Sequence, residues 1–130
     1  MEPHGARFIG ERRRRRMMQN TSRHEIEELL DATHSDDARA RNEALRMLCP
    51  CHVKFNDRRV WDRALEMVED DDVKVRGTVL HLLCDGSPRE RKDQIVAAVE
   101  RMQRDPDDKL RRRARKVMAE YRRTGNINIL

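Results

Sequence analysis

The chain repeats itself every 35 residues, and this period constrains its fold more than any other feature of the sequence. Asp70 to Leu83, DDDVKVRGTVLHLL, aligns with Ser35 to Leu48, SDDARARNEALRML, and with Asp105 to Met118, DPDDKLRRRARKVM. In that register Asp37, Asp72 and Asp107 coincide, as do Arg41, Arg76 and Arg111. The apolar positions recur too: Ala40, Val75 and Leu110, then Ala44, Val79 and Ala114. A period of roughly 20 to 50 residues marks stacked supersecondary units, none of which can bury its apolar face alone. Such a period speaks to architecture before it speaks to activity.

Each repeat reads as a helical hairpin. Ser22 with Glu25 forms a capping box, in which hydroxyl and carboxylate satisfy orphan amides at a helix start. Ile26, Leu29, Leu30, Ala32 and Thr33 supply the apolar stripe that follows. Ser35, Asp36 and Asp37 open a second helix, their carboxylates favouring the positive end of its dipole. Cys49-Pro50 ends it near Leu48. Asn56-Asp57 opens the next pair, with Val60, Trp61, Ala64, Leu65 and Val68 on one face. The helix from Asp70 to Cys84 stops at Asp85-Gly86-Ser87-Pro88, with Gly near the C-cap and Pro in the first turn of the next helix. Ile95, Val96, Val99 and Met102 stripe a fifth helix, and a sixth runs from Asp107 to about Arg123 before Gly125. The expected organisation is an arm over residues 1–21, a repeat domain over 22–125 with repeats at about 22–50, 56–85 and 88–124, and a tail over 126–130.

Composition narrows the class. Charged residues make up 41% of the chain and aromatics 3%, which with clear apolar periodicity specifies helices with charged outer faces rather than disorder. No run approaches the roughly 18 apolar residues of a membrane span, and an arginine block stands where a secretory signal would be apolar. The sequence therefore reads as cytoplasmic, with no membrane association. Three cysteines, an odd number, point to reduced thiols rather than a disulfide framework. Most of the net charge of +5 lies in the first 16 residues, where Arg7 and Arg12 to Arg16 face only Glu2 and Glu11. That arm is expected to be flexible. Its arginines stand just upstream of Met17 and Met18, and Arg-Arg written with AGG codons spells a bacterial ribosome-binding sequence, so the natural start is expected at Met17 or Met18.

The aspartate-led second helices and their Asp-x-x-x-Arg element, close in DPDDKLRRRA and DDDVKVRGTV and looser in SDDARARNEA, resemble HEAT repeats over residues 22–123. The resemblance implies an all-α protein, a right-handed α-solenoid of three HEAT-like helical hairpins with about six helices. It implies that Asp37, Asp72 and Asp107 cap second helices while Arg41, Arg76 and Arg111 reach into the neighbouring repeat as a ladder. Proteins of that family are mostly scaffolds holding a protein or peptide on a concave surface lined by second helices. A non-enzymatic adaptor is the expectation.

The residues sharpen that expectation. Second-helix positions that point away from the core fall seven residues apart: Arg39 and Arg46, Lys74 and His81, Lys109 and Lys116. Arg112 and Arg113 lie within the last interval, and residues 109–123 carry eight Lys or Arg against Glu120 alone. Such a stripe attracts acidic protein segments, nucleic-acid backbone or phosphorylated partners, although many basic runs are merely solvated. An acidic protein partner is expected on these eight residues. Sequence-nonspecific nucleic-acid binding on the same surface is the alternative. HEAT-like DNA alkylpurine glycosylases hold a duplex in a basic groove, but this chain has half the helices needed to embrace one and few aromatics to stack on bases.

Catalysis finds little support. His24, His34, His52 and His81 are scattered, and no glycine-rich phosphate loop or Ser/His/Asp set appears, so neither an enzyme nor a cofactor is expected. Cys49, Cys51 and Cys84 with His52 or His81 form a conceivable zinc set, because Cys49 and Cys84 end successive second helices. The third equivalent position is Ala119, however, and the spacing is not that of a zinc finger. The cysteines therefore read as buried structural thiols and no metal site is assigned. Asn126 to Leu130 alternates polar and apolar residues. It is expected to fold back over the last helix as a cap, with strand addition to a partner's sheet as the alternative.

Overall fold

The computed structural model describes residues 22–50, 52–53 and 56–130, so the basic arm, the expected start at Met17 or Met18, and Cys51 lie outside the described residues. Six α-helices follow one another, and no strand occurs among the described residues. They pair as α1 (Arg23–Ala32) with α2 (Ala38–Met47), α3 (Arg58–Glu66) with α4 (Val73–Leu83), and α5 (Lys92–Met102) with α6 (Asp108–Thr124). A 3₁₀ turn, Met67–Glu69, extends α3, and another, Arg89–Arg91, precedes α5. None of the described helices is long and apolar enough to cross a membrane.

Side-chain caps set most helix starts. The α1 capping box is complete: Glu25 N donates to Ser22 Oγ at 3.2 Å and Ser22 N to Glu25 Oε1 at 2.9 Å. Asp37, Asp57, Asp72 and Asp107 cap α2, α3, α4 and α6. α5 differs. Pro88 has no side-chain acceptor, so the 3₁₀ turn takes the place of a cap and regular helix begins only at Lys92. At the other end of its hairpin, Gly125 takes φ 76°, the left-handed conformation that lets its N–H close on Tyr121 O at 2.7 Å.

The first helices form one layer and the second helices another. Within the second layer α2 packs on α4 and α4 on α6, while each hairpin closes upon itself. Central α4 buries Val75, Val79, Leu80, Leu82 and Leu83, each contributing about 1.5–3 kcal/mol relative to exposure. Trp61 is buried from the first layer, as its spacing predicts, and its indole N–H donates to Asn56 Oδ1 at 3.0 Å. The register also shows where apolar stacking stops. Leu45 and Leu80 are buried, but their third equivalent, Arg115, is exposed; Cys49 and Cys84 are buried, but Ala119 is exposed. Arg115 and Ala119 thus lie on a solvent-exposed flank of α6.

Neighbouring repeats are joined by an arginine ladder. Arg41 forks onto Asp70, with Nε to Oδ2 and Nη2 to Oδ1 both 3.0 Å, and Arg76 forks onto Asp105 at 2.8 and 3.1 Å. Each arginine also donates to the loop of its own repeat: Arg41 to Ser35 O at 3.0 Å, Arg76 to Asp70 O and Arg111 to Asp105 O, both at 2.9 Å. The acceptors are not the capping aspartates. They stand two residues earlier, where Asp70 Oδ1 and Asp105 Oδ1 also accept the N–H of Asp72 and Asp107. In the first repeat that slot holds Ser35, whose hydroxyl accepts from Asp37 N. Desolvation is the largest single influence on Asp70 and Asp105 and pushes their carboxyls up. The arginine forks and the capping N–H groups together outweigh it, leaving both below the usual carboxylate range.

The tail departs from expectation. It folds back, but onto the connection between α4 and α5 rather than over the outer flank of α6. Asn128 Oδ1 accepts from Gly86 N, Ser87 N and Ser87 Oγ at 2.8–2.9 Å, and Leu130 N donates to Cys84 O at 3.0 Å. Ile127 is thereby buried and joins the core.

Candidate interaction face

Solvent-facing positions on α2, α4 and α6 create two grooves. The first, of about 540 Å³, runs between α2 and α4 and is lined by Arg46, His52, Lys74 and His81, with Arg113 reaching in from α6. The second, of about 450 Å³, lies between α4 and α6 and is lined by Lys109, Arg112, Arg113 and Lys116, with Val73 and Leu110 as its apolar part. Gly77 lines both, and a Cβ built on it would meet nothing within 4 Å. Gly77 and Arg113 are thus common to the walls of both grooves, which adjoin along α4. The structure thus brings together seven of the eight basic residues singled out by spacing. Arg39 is exposed at the start of α2 and lines neither groove.

The charge state of these residues matters more than their number. Arg112 pairs with Asp108 at 3.2 Å and His81 with Asp85 at 3.4 Å. Arg46, Lys74, Lys109, Arg113 and Lys116 form no ion pair among the described residues. All five are exposed to solvent. Aromatics are absent from this face among the described residues. Trp61 is in the core, and Tyr121 lies beneath Lys92, whose Nζ is 5.5 Å from the ring centroid. No platform for base stacking is presented here.

The end of the first groove holds a polar cluster only partly legible in the sequence. The loops that follow α2 and α4 lie against each other, and a Cβ on Gly86, at φ 96°, would come within 3.3 Å of Pro50 Cβ. This approach sets the Cys49 thiol 3.2 Å from Asp85 Oδ2, the same oxygen that His81 Nε2 meets at 3.4 Å. Cys84 is not part of the cluster. It is wholly buried beneath the tail, and burial pushes its thiol up to about 12 despite the charge of Arg113. Of the zinc set considered from the sequence, Cys84 stands apart and Cys51 lies outside the described residues, while Cys49 meets Asp85. The i, i+4 spacing of His81 and Asp85 was the available signal.

A protein-family model described as HEAT repeats matches residues 26–119. No curated protein and no solved structure matches the chain.

Proposed function

Because the chain belongs to the HEAT-repeat family, a non-catalytic scaffold-type repeat that commonly mediates protein–protein interaction, we propose that it is a non-enzymatic adaptor holding an acidic protein segment along its second-helix face. The observation that carries this reading is the adjoining pair of grooves with five cations unpaired among the described residues. An extended or helical segment with several carboxylates fits such a track. Asp and Glu side chains can meet Arg46 and Lys74 in one groove and Lys109 and Lys116 in the other, with Arg113 between them. Val73, exposed on the wall of the second groove, offers apolar contact area beside the charges. The lack of aromatics among the described residues of this face favours protein over nucleic acid as partner.

The test compares the full chain with a variant carrying Arg46→Glu, Lys74→Glu and Lys116→Glu in capture from native lysate, with and without nuclease. The captured protein's acidic segment is then titrated as a peptide. Nuclease-resistant capture, peptide binding to the parent and loss of both in the variant are expected. Capture of nucleic acid alone would establish the nonspecific nucleic-acid alternative instead. A variant that behaves like the parent would remove this face from consideration.

A further inference from the structure

We propose that Cys49, His81 and Asp85 form a zinc site at the end of the groove between α2 and α4. The three donor atoms, a sulfur, an imidazole nitrogen and a carboxylate oxygen, lie within 4.8 Å of one another. Zinc bound at ordinary lengths of about 2.3 Å to sulfur and 2.0–2.1 Å to nitrogen or oxygen places its tetrahedral ligands roughly 3.3–3.5 Å apart. The sulfur-to-oxygen and nitrogen-to-oxygen separations are 3.2 and 3.4 Å, close to this spacing, and sulfur and nitrogen lie within 4.8 Å of each other.

The scaffold around these donors is already fixed. Cys49 closes the turn after α2: its N–H donates to Arg46 O, and its carbonyl accepts from His52 N at 2.8 Å and Val53 N at 3.1 Å. Asp85 follows the C-cap of α4, and the next two residues are held by Asn128 of the tail. Loop geometry is thus set by contacts that do not involve the donor atoms, which is the pre-organisation a metal site needs. Ligand chemistry selects the ion: thiolate and imidazole together favour zinc over magnesium or calcium, which take oxygen ligands. Binding converts the Cys49 thiol to a zinc-bound thiolate and releases its proton to solvent. Thiolate and carboxylate then neutralise the dication, so the neighbouring Arg46 and Lys74 are not opposed by a net charge. Three protein ligands leave the fourth position for water on the groove side, where His52 also stands. This inference does not rest on the identity of the groove's partner.

The experiment is a titration of the full reduced chain with Co²⁺, then displacement by Zn²⁺ against a chromophoric chelator, with circular dichroism of every variant. A thiolate-to-cobalt charge-transfer band and intense tetrahedral d–d bands are expected in the parent and in Cys84→Ala, and no charge-transfer band in Cys49→Ala. Asp85→Asn and His81→Gln should each weaken Zn²⁺ binding by more than about 100-fold, the upper end of what merely orienting groups contribute. His81 is half-exposed, so its substitution reports on binding without endangering the fold. Absence of the band in the parent, or its persistence in Cys49→Ala, would overturn the assignment. Unchanged Zn²⁺ affinity in a folded His81→Gln would do the same.

Discussion

Two sets of basic residues recur with the same 35-residue period and meet opposite fates. Arg41 and Arg76 lie at the repeat interfaces, with side chains 13% and 12% exposed, and fork onto aspartates that are 9% and 6% exposed. Lys74 and Lys109, 35 residues apart on α4 and α6, are exposed and without an ion pair among the described residues. The difference is rotational. Arg76 follows Lys74 by two positions, which turns its side chain away from the grooves and toward the loop of the next repeat. A paired, desolvated guanidinium is committed to the fold, whereas a solvated cation remains available to a partner. Recurrence in a repeat protein therefore does not by itself distinguish a structural residue from a binding one.

The sharpest way to break the comparison is to remove one side of a ladder rung. Arg76→Ala or Asp105→Asn leaves a largely desolvated charge unpaired and should cost about 3–5 kcal/mol in urea denaturation. Arg111 occupies the same register but pairs within its own helix with Asp108, so Arg111→Ala should cost about 1 kcal/mol or less. Equal losses for Arg76 and Arg111 would show that the fork between repeats adds nothing.

Acid provides a second test. The Asp70 and Asp105 carboxyls lie below their unfolded value of about 3.9. Their contribution is thus complete above that value and is lost as pH falls through it and then through the folded pKa. The stability gap between parent and Arg76→Ala should be constant near neutrality and narrow below about pH 4. A gap that does not change with pH would assign the loss to packing of the arginine stem.

Smaller effects separate caps from the exposed face. Asp107→Ala removes the acceptor for Leu110 N, 2.9 Å away, and should cost about 1 kcal/mol. The triple variant Arg46→Glu, Lys74→Glu, Lys116→Glu should change stability by no more than about 0.5 kcal/mol per substitution while abolishing partner capture. A variant that unfolds would move these residues into the structural set.

Much of the architecture was legible in the residues. Ser22, Asp37, Asp57, Asp72 and Asp107 announce helix starts because a cap is a local interaction over two or three residues. Trp61 was legible as core because helical spacing alone assigns it to the buried face. The ladder acceptors were harder to see. Asp70 and Asp105 coincide at the repeat interval, yet nothing in their neighbourhood distinguishes an aspartate that caps from one that receives an arginine 29 residues away. The site was legible as a list of cations and not as a shape. Nothing in the spacing separates Arg39 from the other seven, and nothing joins Cys49 to Asp85 across 36 residues.

By itself the sequence determined the period, the helical hairpins, their starts and the buried stripe, all of which follow from interactions within a few residues or from a repeat that can be counted. Tertiary structure decided which aspartate receives each arginine and which cations line each groove. It also decided that Cys49 meets Asp85 rather than Cys84, and that the tail seals the α4–α5 connection. These depend on the distance and rotation between stacked hairpins, and those are fixed only when their apolar faces pack together.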